Sequence, residues 1–122
     1  MQPKDFYIAT RASRGVRVEL VDPAGNREWV QVRSVLSKQF QQASREVIRQ
    51  AAIEGKAVMG CPQELKRQIR QRRAELVSAL IVDWSMPLHG QDMIDLLIQN
   101  PRLRRGIEQI AADHDLHFGV SA

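Results

Sequence analysis

An α+β fold, mostly helical, is what this sequence predicts: an N-terminal two-stranded β-hairpin followed by about four α-helices. Two observations predict it. Val16, Val18 and Leu20 alternate with Arg17 and Glu19, the two-residue period of a half-buried strand, whereas from Ser37 onward the apolar residues recur at three- and four-residue steps. The length, 122 residues, suits one compact domain. With 43% hydrophobic residues the chain falls in the globular range.

Residues 1–15 show no sustained period and read as a flexible N-terminal arm, leaving 16–122 as the domain. The hairpin is expected over 16–35. Its turn is Asp22-Pro23-Ala24-Gly25-Asn26, where Pro23 presets φ and Gly25 supplies a left-handed residue. The second strand would place Val30 and Val32 on one face, and Trp29, Gln31 and Arg33 on the other. Two strands alone are marginal in water, so the apolar face must pack on helices.

The first helix, about 37–54, has Ser37 as its N-cap, a stripe of Phe40, Ala43, Val47 and Ala51, and Gly55 as its stop. A second, longest helix is expected over about 62–84, opened by Pro62. Its stripe would be Leu65, Ile69, Leu76, Leu80 and Trp84, thickened by Val77 and Ile81 and interrupted at Arg72 and Arg73, where the turn would stand clear of the core. Pro87 and Gly90 break the pattern. A short helix follows over 91–99, then Asn100-Pro101 resets the chain for a last helix over 101–114.

Chemistry is sparse. Cys61 is the only cysteine, so no internal disulfide can form, and between Gly60 and Pro62 it reads as a small filler at a loop–helix junction. His114 and His117 could share a helical face, but His89 and Cys61 are remote. A zinc site needs three or four converging ligands, so the histidines read as surface groups near a helix end. No activated nucleophile and no glycine-rich phosphate loop is present. The expectation is a non-enzymatic protein without metal or cofactor. The start of the chain lacks a signal-peptide pattern, and no apolar stretch could span a bilayer, which points to the cytoplasm and away from membranes.

The net charge is +4. Lys66, Arg67, Arg70, Arg72 and Arg73 fall within eight residues. Such a run can be a phosphate footprint, which makes a small nucleic-acid-binding protein one functional reading. The absence of interleaved aromatics for base stacking favours a solvated helix face. Trp84 reads first as a core anchor and second as a partner contact.

The second half carries a family pattern. Leu76-Val77-Ser78-Ala79-Leu80-Ile81-Val82-Asp83-Trp84-Ser85 resembles the apolar run ending in Val-x-Trp of tail assembly chaperones of long-tailed bacteriophages. Asp95-Leu96-Leu97-Ile98-Gln99-Asn100-Pro101-Arg102-Leu103, Ile107-Glu108-Gln109-Ile110 and Phe118 follow in the order that family shows. In the front half, Val16–Val21, the Asp-Pro-Ala-Gly-Asn turn, Trp29–Val35 and Ser37-Lys38-Gln39-Phe40 are similar too, so the likeness covers about 16–118. The segment Ser85–Gln91 departs from it, being shorter and lacking a Phe. The resemblance implies a chaperone that binds the tape measure protein, keeps it soluble and recruits tail tube subunits. It would self-associate along its client in the bacterial cytoplasm and be absent from the mature virion. A tail terminator or head–tail connector is the structural alternative. Candidate partner-binding residues are Trp29, Arg33, Lys66, Arg70, Arg73, Trp84 and Phe118.

Overall fold

The computed structural model describes residues 11–22, 24–57 and 60–119. Two strands, β1 (Val16–Val21) and β2 (Arg27–Val32), pair antiparallel with Val16 opposite Val32 and Val21 opposite Arg27. The turn between them is closed by Asp22, whose carboxylate accepts from the Asn26 backbone N–H at 2.8 Å and from the Asn26 amide at 3.1 Å. Gly25 takes φ +86°, as the turn requires of a residue without a Cβ. Pro23 lies outside the described residues. On β2 the expected faces are found: Val30 and Val32 are fully buried, while Trp29 lies on the far side under the Arg17 guanidinium, 3.9 Å from the ring centroid.

Five helices and one strand follow: α1 (Lys38–Ala57), α2 (Pro62–Leu80), β3 (Ile81–Trp84), α3 (Gln91–Gln99), α4 (Pro101–Ala112) and a short α5 (His114–Phe118). Ser37 caps α1 through its Oγ, which accepts from the Phe40 N–H at 3.3 Å, and the helix runs past Gly55 to Ala57. The predicted long helix over 62–84 is corrected. It stops at Leu80, and Ile81–Trp84 forms a third strand antiparallel to β2, so the hairpin is part of a three-stranded sheet in the order β1-β2-β3. Val30 faces Trp84, Gln31 faces Asp83 and Val32 faces Ile81, which leaves Val82 without a partner in the register. That bulge turns Ile81 and Trp84, three residues apart, toward the same buried side. The last predicted helix is likewise two: α4 ends at Ala112, and Asp113 caps α5 by accepting from the Leu116 N–H at 3.1 Å.

Residues 11–14 are helical, and Ala12 is fully buried; 1–10 lie outside the described residues. The tie is the segment after β2, where three successive backbone N–H groups serve three different elements. Arg33 donates to Leu80 O at 2.7 Å, Ser34 to Ala12 O at 3.1 Å and Val35 to Ala111 O at 3.0 Å. Irregular backbone is thereby buried without orphaned donors. The core gathers Val30 and Val32, Ala74, Val77 and Leu80 of α2, Ile81 and Trp84, Leu97 of α3, and Ile107 and Ala111 of α4.

His117 is not a surface group: its residue is only 4% exposed. Its Nε2–H donates to Ile110 O at 2.9 Å, so Nδ1 is the unprotonated nitrogen, and it is buried without a partner. Burial pushes the imidazole below its ordinary 6.5, against the opposing pull of the Ile110 carbonyl and Asp113. In the unfolded chain the ring titrates near 6.5. The folded state therefore binds fewer protons, and stability present above pH 6.5 is lost as pH falls through that value toward the folded pKa. Melting temperature measured from about pH 7.5 to about pH 5 should decline, and the decline should flatten in His117→Gln. Parallel profiles for the two proteins would refute this coupling.

Candidate partner-binding face

Helices α1 and α2 form an antiparallel pair of which only one end is rooted. Phe40, in the first turn of α1, packs against the core. The buried residues of α2, Ala74, Val77 and Leu80, all lie in its last two turns. Beyond that root the pair presents apolar side chains to solvent: Ile48 (66% exposed), Ile53 (56%), Leu65 (43%) and Ile69 (49%). Leu65 and Ile69, expected in the core stripe, are thus corrected to the surface. Between the helices runs a groove lined by Ala51, Leu65, Ile69 and Leu76 together with Gln68, Glu54, Arg72 and Arg73. Leu65 and Ile69 meet in the groove, while Ile48 and Ile53 lie outside its lining. Isolated exposed apolar residues are ordinary on a protein, and an apolar groove flanked by charge is the usual form of an interaction surface.

The interruption at Arg72 has a specific cause. Leu65, Ile69, Arg72 and Leu76 fall on one stripe at steps of four, three and four residues. Arg72 therefore sits in the seam, half-buried, with its guanidinium bonded to Glu54 of α1 (Nε to Oε2 3.2 Å) and to Glu75 (2.7 Å). Those carboxylates, Glu54 first, hold it protonated above the ordinary arginine value. Such a pair in a half-dry seam fixes how the helices register more than it stabilises them. The turn is pinned to α1; it does not stand clear. Arg67 is paired too, with Glu64 one turn back (Nε to Oε2 3.0 Å), and its hydrogen bond holds the Glu64 carboxyl below the usual range. Lys66, Arg70 and Arg73 are exposed and make no ion pair among the described residues.

Comparison of the chain with known protein families, curated proteins and solved structures gives no match. The face must be read from its own residues. Of the seven candidates, the structure brings together Lys66, Arg70 and Arg73, all on α2. The other four are dispersed. Arg33 reaches from the end of β2 to the C-terminal carbonyls of α2, donating to Ala79 O at 2.9 Å, and so closes the helix where the chain turns into β3. Trp84 is 3% exposed, and its Nε1–H donates to Leu88 O at 2.8 Å, which places it in the core. Trp29 sits on the outer sheet face, and Phe118, half-buried, lies beside His114 and His117 with its carbonyl accepting from Arg11 at 2.7 Å.

Ile48, Ile53 and Glu54 were not among the sequence candidates. The available signal was that Ile48 and Ile53 lie off the Phe40–Val47 stripe, which no single-sided helix needs. Among the described residues, no group of three or more His, Cys, Asp or Glu is placed to share a metal ion, and Cys61 is exposed at the start of α2. No described helix is long and apolar enough to cross a membrane.

Proposed function

We propose that this chain is a non-enzymatic tail assembly chaperone of the long-tailed bacteriophage type. It binds the tape measure protein, keeps it soluble, and helps gather tail tube subunits around it in the host cytoplasm before leaving the finished particle. Two things support the reading: the order of elements shared with that family over about 16–118, and the solvent-facing apolar face of α1 and α2. The second carries it. A tape measure protein is a long apolar helix, and such helices lie in grooves by inserting residues at i, i+3, i+4 and i+7. Leu65, Ile69 and Leu76 lie on one helical stripe, at i, i+4 and i+11, and offer such a client an apolar seam interrupted by Arg72. Ile48 and Ile53 expose further apolar surface on α1.

The reading is tested by co-expressing this chain with a tape measure protein from the same source. The soluble fraction of the client should rise and the two should co-purify, because the chaperone covers patches larger than a soluble monomer tolerates. Absence of rescue, with the chain instead recovered in finished tails, would favour a terminator or connector. A second reading, nucleic-acid binding, draws on the three unpaired cations of α2. It expects affinity for duplex DNA that falls steeply and linearly in log–log salt titration. Salt-steep DNA binding without client rescue would replace the chaperone reading.

A further inference from the structure

We infer that the groove between α1 and α2 takes an acidic amphipathic helix, laid along the Leu65–Ile69–Leu76 seam with its carboxylates toward Lys66, Arg70 and Arg73. This deepens the chaperone reading by naming the chemistry of the client segment, and it rests on that reading only for the client's identity. The geometry comes from helical spacing. Lys66, Arg70 and Arg73 are four and three residues apart, so they form a stripe of their own. Each follows a seam position by one residue, Leu65, Ile69 and Arg72, and one residue is about 100° around the helix. The cationic stripe therefore borders the seam from Leu65 to Arg72, as the flanking charges of a coiled-coil seam border its core, and ends before Leu76, whose successor Val77 is buried.

Charge decides the occupant. Residues 38–80 hold nine Lys/Arg and four Asp/Glu, while the rest of the chain holds nine and ten. The surplus of positive charge thus resides on the two-helix unit. On α2, Arg67 and Arg72 are already neutralised by Glu64, Glu54 and Glu75. The cations of α2 without an ion pair among the described residues are the three beside the seam. A second copy docking by this same face would set like stripe against like stripe, which costs free energy. A helix with apolar seam residues and flanking Glu or Asp matches both stripes at once, and flanking charges of this kind set partner choice. DNA would match the cations and leave the apolar stripe unused.

The test titrates the full chain, by calorimetry, with two synthetic helical peptides of about four heptads each, Leu at the seam and either Glu or Lys at the flanks. The Glu peptide should bind at least about tenfold more tightly, and added salt should shrink the gap. The combined Lys66→Glu, Arg70→Glu, Arg73→Glu variant should reverse the preference, with circular dichroism confirming its fold. Ile69→Asp should abolish binding of both peptides. Equal binding of both peptides, or binding of neither by the folded chain, overturns the proposal. So does a DNA duplex that displaces the Glu peptide and still binds Ile69→Asp, or a dimer in sedimentation that Ile69→Asp dissolves. The two readings fail separately. Peptide preference without capture of the tape measure protein leaves the seam standing and removes the chaperone. Tape measure capture undiminished by Ile69→Asp does the reverse.

Discussion

Trp84→Ala should remove about 3–5 kcal/mol of folding stability, the cost of truncating a buried aromatic to a methyl group. The side chain lies on β3 opposite Val30, within the cluster that joins the sheet to α2, α3 and α4. Truncation leaves a void bordered by elements on every side, and none can close on it without disturbing the others. It also strands the Leu88 carbonyl, which accepts the indole N–H. A domain of this size has about 5–15 kcal/mol in all, so soluble yield should fall together with the urea midpoint. Trp84→Phe keeps most of the volume and loses the hydrogen bond, so its cost should be well below that of Ala. An unchanged midpoint for Trp84→Ala, with client capture lost, would move the residue from the core to the interface.

The same tryptophan shows what in the fold was legible. Strand alternation over Val16–Leu20, the Asp22–Asn26 turn, Ser37 as cap and Pro101 at a helix start are local signals, and each element they predict is present. The β3 strand is not a local feature. Leu76, Leu80 and Trp84 are spaced as one helix face, and Ile81 and Trp84 are both buried because a bulge at Val82 breaks the strand's alternation. A bulged strand following a helix thus imitates the helical period. What makes it a strand is the unpaired edge of β2, which supplies ladder partners only after the chain has folded back; tertiary pairing overrides local preference here.

The candidate site was legible in its charges and not in its apolar half. Lys66, Arg70 and Arg73 stand out as a run, whereas Leu65 and Ile69 carry the same periodic signature whether a core or a partner covers them. Periodicity reports that a face wants to be buried; it does not report by what. Arg72 gave the discriminating hint. A charge within the seam costs little where the seam is at the surface and its partners, Glu54 and Glu75, are within reach. His117 shows the converse: near the end of a predicted helix it reads as surface, and the packing of α5 on α4 buries it.

Gly15→Ala should be the most damaging substitution in the N-terminal region, and it tests whether residues 11–14 belong to the domain. Gly15 follows that helical turn with φ +74°, and its N–H returns to Arg11 O at 3.0 Å. A left-handed glycine in that place is a common helix terminator. Any Cβ would meet the β2 backbone, 2.2 Å from Val32 O and 2.6 Å from its carbonyl carbon. Backbone in a sheet cannot yield as a flexible side chain can. The left-handed conformation alone costs a residue with a Cβ about 1–2 kcal/mol, and relieving the contact adds an overpacking cost of about 1–3 kcal/mol. The chain can escape only by lifting the 11–14 turn off the sheet, which exposes Ala12 and breaks the bond from Ser34 N–H to Ala12 O. The expected result is a fall of several degrees or more in melting temperature, together with faster amide exchange at Ser34. Gly25→Ala is the control: its φ is also positive, at +86°, but its added Cβ would meet nothing within 4 Å, so it carries the conformational cost alone. Equal losses for the two substitutions would mean that the turn before β1 is not packed on β2, and that the domain begins at Val16 after all.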